Sequence, residues 1–334
     1  MPDTDDETAL GEGRVALVTG STGGIGAETA RNLAATGATV VAHGRDRERG
    51  ERVVADLPGE GHAFYAADFA DLDDVRALAD AVLTDFDRLD ALVNNAGTWQ
   101  SARRLVELPG SDAGVEFTFA VNHLAPFLLT NRLAERLAAT GERRADERGG
   151  GETSGPGESE AGPSADPARV VTVTSDLHRR AALDLDGVRG PEGPSGVDAY
   201  GHSKLANVLF TFELARRLPE SVTATCCHPG VSPSTGLARD GSPLAGAGWR
   251  VFGLVGGLLG VTDSAAESAE TQTYLATSPA VTGVTGAYFD DCERVSPGDA
   301  ARDRDAQRRL WTASAEWVGL TESETVGAGR PAEP

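Results

Sequence analysis

The sequence contains almost no lysine. Of its 30 basic residues, 29 are Arg and only Lys204 is Lys, although lysine is normally one of the commonest residues. The 334 residues carry 51 acidic side chains, so the formal charge is 30 − 51 = −21. A chain this poor in positive charge has no basic stripe that could release counterions from phosphates, which argues against nucleic-acid binding and against attachment to an anionic membrane surface. The imbalance fits a protein of a salt-adapted organism and fits equally a codon bias that replaces Lys by Arg.

Cysteines and long apolar runs are also scarce. Cys226 and Cys227 are adjacent and Cys292 is distant, so their spacing indicates neither a disulfide framework nor a metal site and is typical of a reducing compartment. Residues 1–13 are acidic and lack an apolar core, which predicts a disordered tail rather than a signal peptide. The longest apolar run, residues 251–261, is about half the length that spans a bilayer. We therefore expect a soluble, cytoplasmic protein with no integral membrane segment and no metal ion.

Short β-rich runs alternate along the chain with helical patterns of roughly ten to fifteen residues, which is typical of βαβ units. We predict an α/β fold with one Rossmann-type, doubly wound parallel sheet of about seven strands and helices on both faces. The predicted strands cover residues 14–19, 39–42, 63–66, 89–93, 169–174, 222–227 and 287–290. The predicted helices cover residues 25–35, 46–57, 72–86, 113–139 and 199–218.

This pattern predicts a single domain over residues 14–320. Residues 141–167 are rich in Gly, Glu, Ser and Pro with almost no apolar side chain, so we expect a disordered insertion and not an interdomain linker. Residues 321–334 are expected to form a flexible tail. Residues 236–262 are apolar and glycine-rich, and we predict that they form a lid over the substrate or, alternatively, pack on the domain or a second subunit.

A glycine-rich turn follows the first predicted strand directly, with the sequence Thr19-Gly20-Ser21-Thr22-Gly23-Gly24-Ile25-Gly26. Glycines permit a tight turn and a close approach of the backbone to a pyrophosphate, and the next helix offers its free N–H groups. The order of strand, glycine loop and helix predicts a dinucleotide site. We expect contacts to the dinucleotide from Gly20, Ser21, Thr22, Gly24, Ile25 and Gly26.

The end of the second strand predicts which dinucleotide binds. An acidic residue there binds the ribose 2′-hydroxyl of NAD, whereas an Arg accommodates the 2′-phosphate of NADP. Position 44 is Gly, and Arg45 follows it directly. Asp46 is the only nearby carboxylate, and we interpret it as the cap of the next helix. NADP is therefore the predicted cofactor and NAD the alternative.

Tyr200 and Lys204 are the strongest candidates for the chemistry. Their i,i+4 spacing places both side chains on one face of a predicted helix. A nearby cation favours the phenolate, so we expect Lys204 to lower the pKa of Tyr200. Lys204 is also the one position where Arg has not replaced Lys, which indicates a role for a compact ammonium group.

Together these motifs resemble the short-chain dehydrogenase/reductase family from about residue 14 to residue 320. The glycine loop matches its TGxxxGxG motif, residues 94–97 match NNAG, and Tyr200 and Lys204 match YxxxK. The resemblance implies a catalytic set of Asn122, Ser175, Tyr200 and Lys204. It also implies cofactor contacts from Asp68, Phe69, Asn95, Ala96, Gly97, Pro229 and Gly230, besides Arg45, Tyr200 and Lys204.

Within that family the chain resembles the retinol dehydrogenase-like branch. The resemblance implies that Tyr200 exchanges a proton with the substrate oxygen, Ser175 holds that oxygen, Lys204 binds the nicotinamide ribose, and Asn122 supports the proton relay. The apolar residues 236–262 would suit a small, lipophilic carbonyl or alcohol as substrate, and the resemblance implies a homodimer or homotetramer. Candidate substrate contacts are Trp99, His178 and Trp249. A non-catalytic NADP-binding scaffold and a C=C reductase of the same family stay open as alternatives.

Overall fold

The computed structural model describes residues 11–108, 111–149, 166–230 and 263–327. Its first half contains β1 (Val15–Val18), α1 (Gly24–Ala35), β2 (Thr39–Gly44), α2 (Arg47–Ala55), β3 (Ala63–Ala66), α3 (Leu72–Asp85) and β4 (Ala91–Asn94). A hairpin of β5 (Leu105–Leu108) and β6 (Ser111–Glu116) follows, then α4 (Phe117–Phe119), a π-helical turn (Ala120–Leu124) and α5 (Ala125–Gly149). The second half contains β7 (Ala168–Val173), a 3₁₀ turn (Asp176–Arg180), α6 (Leu185–Arg189), α7 (Gly196–Arg217), β8 (Val222–His228), α8 (Ala265–Thr277), β9 (Ala287–Asp290), β10 (Glu293–Val295) and α9 (Arg304–Trp317).

The main sheet has eight strands in the order β10-β9-β8-β7-β4-β1-β2-β3. Seven of them are parallel, and β10 pairs antiparallel with β9 at one edge. The strand order reverses between β1 and β4, where ligands bind in open α/β sheets because the two flanking connections diverge. The predicted α/β fold is confirmed, with one more strand than the sequence predicted. The additional strand follows a turn at Asp291 and Cys292, whose φ angles are positive (49° and 60°).

Apolar side chains cover both faces of the sheet, as expected for parallel strands packed between helices. Along β1, Leu17 faces a core formed with α3, α5, α7 and α9. Its neighbours Ala16 and Val18 face the opposite core, formed with α1, α2 and α8. The strands are therefore rigid supports, and their ends can place polar side chains accurately. None of the helices in the described ranges is long and apolar enough to cross a membrane.

The helix predicted over residues 113–139 is wrong at both ends. Residues 111–116 form β6, which pairs with β5 so closely that a Cβ on Gly114 would lie 2.8 Å from the Val106 carbonyl oxygen. At the other end α5 continues to Gly149, so residues 141–149 are not part of a disordered insertion. The helix continues because buried Arg144 donates to the Pro167 carbonyl (3.2 Å) and pairs with Asp166. The remainder of the predicted insertion, residues 150–165, lies outside the described residues.

Two further segments differ from the sequence predictions or lie beyond the described ranges. Residues 321–327 are not a loose tail, because Thr325 is buried and the Val326 N–H donates to Asn131 Oδ1 on α5 (2.9 Å). The predicted lid, residues 236–262, lies outside the described residues together with Trp249. The same holds for residues 1–10 of the predicted acidic tail.

Candidate active site

The glycine loop between β1 and α1 has the backbone conformation that only glycine adopts easily. Gly20 has φ of +69°, and a Cβ there would lie 2.7 Å from Ala96 Cα. A Cβ on Gly26 would lie 2.4 Å from the Gly20 carbonyl oxygen. The loop therefore folds back on itself and on the end of β4, and any larger residue at either position would force the two segments apart.

The NNAG segment after β4 braces this loop. The Thr19 hydroxyl accepts hydrogen bonds from the backbone N–H groups of Asn95 and Ala96, each 3.0 Å long. The Asn95 amide donates to the Thr19 carbonyl (2.8 Å). Two of the predicted cofactor residues, Asn95 and Ala96, thus hold the glycine loop in shape. Sequence analysis missed the role of Thr19, although it is the first residue of the motif.

The amino end of α1 is open to an anion. Its N-cap, Gly23, has no side-chain cap, and the first turn carries no acidic residue. A Cβ on Gly23 would meet nothing within 4 Å. The free N–H groups and the positive end of the helix dipole favour a phosphate at this point. The residues present therefore fit the pyrophosphate of a dinucleotide.

The residues after β2 agree with the predicted roles of Arg45 and Asp46. Asp46 caps α2 and accepts from the Arg49 N–H (3.0 Å), which confirms the predicted cap. Arg45 is exposed and makes no ion pair or hydrogen bond with the described part of the chain. Gly44 is packed so tightly that a Cβ would lie 2.4 Å from Thr22 Cγ2. Arg45 and Thr22 thus lie on adjacent segments beside the open end of α1.

Two predicted cofactor residues have their side chains directed into the protein. The buried Ser21 hydroxyl donates to the Val18 carbonyl (2.9 Å) and accepts from the His43 N–H (3.0 Å). Phe69 is buried and stacks on the His43 ring, with centroids 4.3 Å apart. Asp68, just before it, is half-buried and accepts from the Ala70 N–H (3.0 Å). Ser21 and Phe69 therefore support the site from below, because the packed strands leave their side chains no path to its surface.

Ser175 and Tyr200 meet at the carboxyl end of β7. Ser175 caps the 3₁₀ turn, and Tyr200 lies in the second turn of α7, hydrogen-bonded to Ser175. Burial raises the pKa of Tyr200 to about 12, and the hydrogen bond with Ser175 offsets part of this rise. The sequence predicted a pKa lowered by Lys204, which is not what the structure shows for the chain alone. The Lys204 ammonium lies over the phenol ring, 5.5 Å from its centroid.

Lys204 is buried beneath the site and has one backbone acceptor. Its ammonium donates to the Val173 carbonyl (3.0 Å) at the end of β7. It makes no ion pair with a carboxylate among the described residues, and burial lowers its pKa to about 8. A Cβ built on Gly97 would lie 3.5 Å from Lys204 Nζ and 3.6 Å from Asn122 Oδ1. The ends of β4 and β7 thus bring Gly97, Lys204 and Asn122 to one place.

Asn122 lies in the π-helical turn, a feature that often marks functional sites. Its Oδ1 accepts from the Thr98 N–H (2.7 Å), and its Nδ2 donates to the Thr98 carbonyl (3.0 Å) and to Ser203 Oγ (2.9 Å). These bonds tie the loop after β4 to α7 between Tyr200 and Lys204. Sequence analysis assigned no role to Ser203, although its position next to Lys204 could have indicated that it belongs to the site.

The predicted substrate residues differ in their burial and in their hydrogen bonds. Trp99 is half-buried beside Thr98, and its indole Nε1 has no hydrogen-bond partner among the residues that the structure describes. His178 is fully buried, donates from Nδ1 to the Ser175 carbonyl (2.7 Å) and accepts at Nε2 from the Gly298 N–H (2.9 Å). Both of its ring nitrogens are therefore used within the protein, and His178 supports Ser175 instead of reaching a substrate. Pro229 and Gly230 follow β8, where Gly230 (φ +79°) packs against Asp263.

The chain is similar to known proteins over most of its length. The model of the short chain dehydrogenase family matches residues 14–145. Mouse retinol dehydrogenase 12 is 34% identical over 92% of this chain and 87% of its own length. Bovine dehydrogenase/reductase SDR family member 13 is 36% identical over 93% of this chain and 75% of its own length.

Solved structures share the fold over most of the chain. An uncharacterised protein from Mycobacterium paratuberculosis has a TM-score of 0.67 and 28% identity, covering 93% of this chain and 96% of that one. An Escherichia coli short chain dehydrogenase complexed with NADPH has a TM-score of 0.58 and 21% identity, covering 85% of this chain and 99% of that one. Together with the sequence identity to the curated relatives, these matches establish the family. This chain belongs to the short-chain dehydrogenase/reductase family and is an oxidoreductase of its alcohol–carbonyl class.

Proposed function

We propose that this chain is an NADP-dependent oxidoreductase that interconverts a lipophilic ketone or aldehyde and the corresponding alcohol. The observation that carries the proposal is the convergence of Tyr200, Ser175, Lys204 and Asn122 at the carboxyl ends of β4 and β7. This convergence lies beside the open amino end of α1. A scaffold protein on the same fold would have no need for a buried lysine that has no carboxylate partner in the described ranges, because such a group costs stability.

The preference for NADP is argued from charge. Arg45 is an exposed cation without a partner in the described part of the chain, whose total charge is −21. Its position after β2 suits the 2′-phosphate, and the capping role of Asp46 removes the carboxylate that would bind a free ribose hydroxyl. The lipophilic substrate is argued from Trp99 in the loop after β4 and from the relatives named retinol dehydrogenases.

The residues of this chain would have the following binding and catalytic roles. The bound nicotinamide supplies or accepts the hydride. The glycine loop and the amino end of α1 hold the pyrophosphate, and Arg45 holds the 2′-phosphate. Tyr200 is protonated at neutral pH because burial keeps its pKa near 12, so it is ready to donate its proton to a carbonyl oxygen. Ser175 holds that oxygen, and Lys204 supplies positive charge beneath the site as the phenolate forms.

The direct test is NADPH oxidation with aliphatic, aromatic and isoprenoid ketones and aldehydes, with the products identified, at low and high salt. Tyr200→Phe removes the proton donor and is expected to lower turnover by about 10²–10⁴-fold. Tyr65→Phe is the matched control, because the Tyr65 hydroxyl bonds Asp85 on the surface. Unchanged turnover in Tyr200→Phe would overturn the mechanism. NADPH binding without turnover would favour a scaffold, and saturation of C=C bonds would favour the second alternative.

A further inference from the structure

His43 is a buried imidazole on β2 that contacts both sides of the proposed dinucleotide site. Its Nδ1 accepts from the Gly20 N–H (3.3 Å) in the glycine loop. Its Nε2 donates to the Ala67 carbonyl (3.2 Å) in the segment that follows β3. The backbone of His43 also pairs with Ser21, whose N–H donates to the His43 carbonyl (2.9 Å).

These contacts require one form of the ring. Backbone N–H groups only donate and carbonyls only accept, so Nδ1 must carry the lone pair and Nε2 the proton. Only the neutral Nε2–H tautomer satisfies both partners. A second proton would point the Nδ1–H at the Gly20 N–H and break that bond. Phe69 fixes the plane of the ring by stacking on it.

The two segments that His43 joins are the ones expected to flank the adenosine half of the cofactor. Gly20 begins the turn that leads into the amino end of α1, and Ala67 directly precedes Asp68. Arg45 lies two residues beyond His43, on the same strand end. The spacing between the glycine loop and the Asp68 segment thus depends on one imidazole held between two backbone groups.

We propose that His43 is a positioning residue for the adenosine half of the dinucleotide. It holds the glycine loop and the Asp68 segment at the separation that the cofactor requires, by accepting from Gly20 and donating to Ala67. The inference rests on the proposed use of a dinucleotide and goes beyond it. It assigns cofactor affinity to a side chain that contacts neither substrate nor hydride.

Few charged groups lie near His43, so the effect of its protonation can be separated from that of other titrating groups. Asp68, in the segment after β3, is the described charge that acts on the ring, and Asp74 accepts from the Asp68 N–H (2.9 Å) behind it. The glycine loop contributes no titratable side chain, and β2 itself carries no charged residue, Arg45 being the first residue after it. Burial lowers the pKa of His43 to about 4, so the neutral ring persists across the physiological range.

The test uses three substitutions of His43, each of which retains a different one of its contacts. His43→Asn retains an acceptor at the position of Nδ1, His43→Gln retains a donor near Nε2, and His43→Phe retains only the stacking on Phe69. His62→Phe is the matched control, because His62 also joins two backbone groups, Val40 N–H (3.0 Å) and the Pro58 carbonyl (2.9 Å), away from the site. Fluorescence titration measures the Kd of NADPH and of adenosine 2′,5′-bisphosphate, and melting of the cofactor-free proteins measures stability.

We expect His43→Phe and His43→Gln to raise both Kd values by about tenfold or more, since the Gly20 N–H loses its acceptor. We expect His43→Asn, which keeps the acceptor for the Gly20 N–H and loses only the bond to Ala67, to raise both Kd values by less than His43→Gln does, and His62→Phe to stay within about threefold of the unsubstituted protein. At saturating NADPH, His43→Gln should keep its kcat while the KM for NADPH rises. Below about pH 5 the Kd of the unsubstituted protein should rise, whereas that of His43→Asn should not, although both retain Asp68.

Unchanged affinity in His43→Gln, or an equal loss in His62→Phe, would overturn the inference and leave the proposed function intact. If His43→Phe fails to fold, the comparison of His43→Asn with His43→Gln and the pH profile of the unsubstituted protein decide the matter alone. Absence of any binding of NADPH or NADH by the unsubstituted protein would instead overturn the proposed function, and this inference with it.

Discussion

The two ends of the parallel sheet differ in whether their buried charges have ion-pair partners. At the amino ends of the strands, Asp90 and Asp166 are buried and surrounded by Arg14, Arg88, Arg144 and Arg169. At the carboxyl ends, buried Lys204 donates to a carbonyl oxygen and has no carboxylate partner among the described residues. Removing a partner from a buried pair is costly, whereas an unpaired buried cation is already destabilising. The amino ends are therefore built for stability, and the carboxyl ends retain groups that cost stability for chemistry.

The histidines show the same difference between the two ends of the sheet. His43 and His178 hold the glycine loop and the Ser175 turn at the carboxyl ends, and burial lowers the pKa of both rings. Each ring joins two backbone groups only while it is neutral. Asp90, at the other end, makes a bidentate pair with Arg88 and accepts from the Val15 N–H (2.8 Å). The functional end therefore depends on neutral imidazoles and the stabilising end on permanent charges.

The largest effect on stability is expected from Asp90→Asn. The substitution leaves buried Arg144 with less compensating charge, and we expect the free energy of unfolding to fall by about 3–5 kcal/mol. Denaturant unfolding measures this change, with Asp73→Asn as control because the Asp73–Arg76 pair is on the surface. Turnover per folded molecule should be unchanged, since Asp90 is at the end opposite to Tyr200. A loss of turnover at full folding would contradict the division between the two ends.

Acid is expected to affect the carboxyl ends first. The pKa of His43 is about 4 when folded, against an ordinary value of 6.5, so between these values the unfolded chain binds a proton that the folded chain does not. Stability therefore falls as the pH falls through this window, by about 3 kcal/mol from this residue alone. Chemical denaturation at several pH values measures the slope, and His43→Asn should flatten it. An identical slope in that variant would contradict the burial argument.

Substitution of Lys204 is expected to change stability and turnover in opposite directions. Its pKa is about 8 in the fold against 10.5 ordinarily, so at neutral pH the buried charge costs up to about 3 kcal/mol. Lys204→Met should therefore raise the melting temperature while lowering turnover. Because the chain has only one lysine, selective ¹³C labelling gives a single side-chain signal, and its titration midpoint near pH 8 checks the cause directly. A midpoint near 10.5 would mean that the ammonium is solvated.

Features that depend on local geometry could be predicted from the sequence, whereas those that depend on distant contacts could not. Glycines, a Tyr and a Lys at fixed spacing serve local geometry, so the loop at Gly20 and the pair on α7 could be predicted from neighbouring residues alone. The hairpin of β5 and β6 could not, because its pairing depends on contacts between strands. The continuation of α5 past residue 141 could not be predicted either. Arg144 is buried in a stable pair only because of Asp166, which is more than twenty residues away.

The same reasoning explains which site residues were misplaced. Ser21 and Phe69 carry side chains suited to a ligand, but the direction in which a side chain points depends on the strand and loop that hold it. His43 lies within the strand whose end predicts the cofactor, and the sequence pattern assigns it no role, although a polar side chain in a buried strand indicates a specific partner. The direction of the Tyr200 pKa was wrong because burial raises this pKa by more than the hydrogen bond with Ser175 lowers it.

The smallest expected effect concerns Arg45, an exposed cation at the carboxyl ends that has no partner among the described residues. Arg45→Ala should reduce the ratio of NADP to NAD affinity by about tenfold, the loss of one charge-assisted contact to a phosphate. Stability should not change, because no intramolecular bond is broken. Arg47→Ala is the control, since Arg47 pairs with Glu51 (3.5 Å) on the exposed side of α2. Titration with both cofactors measures the ratio. If Arg45→Ala leaves that ratio unaltered while Arg47→Ala lowers it, the 2′-phosphate lies beyond α2 and the assignment of Arg45 is wrong.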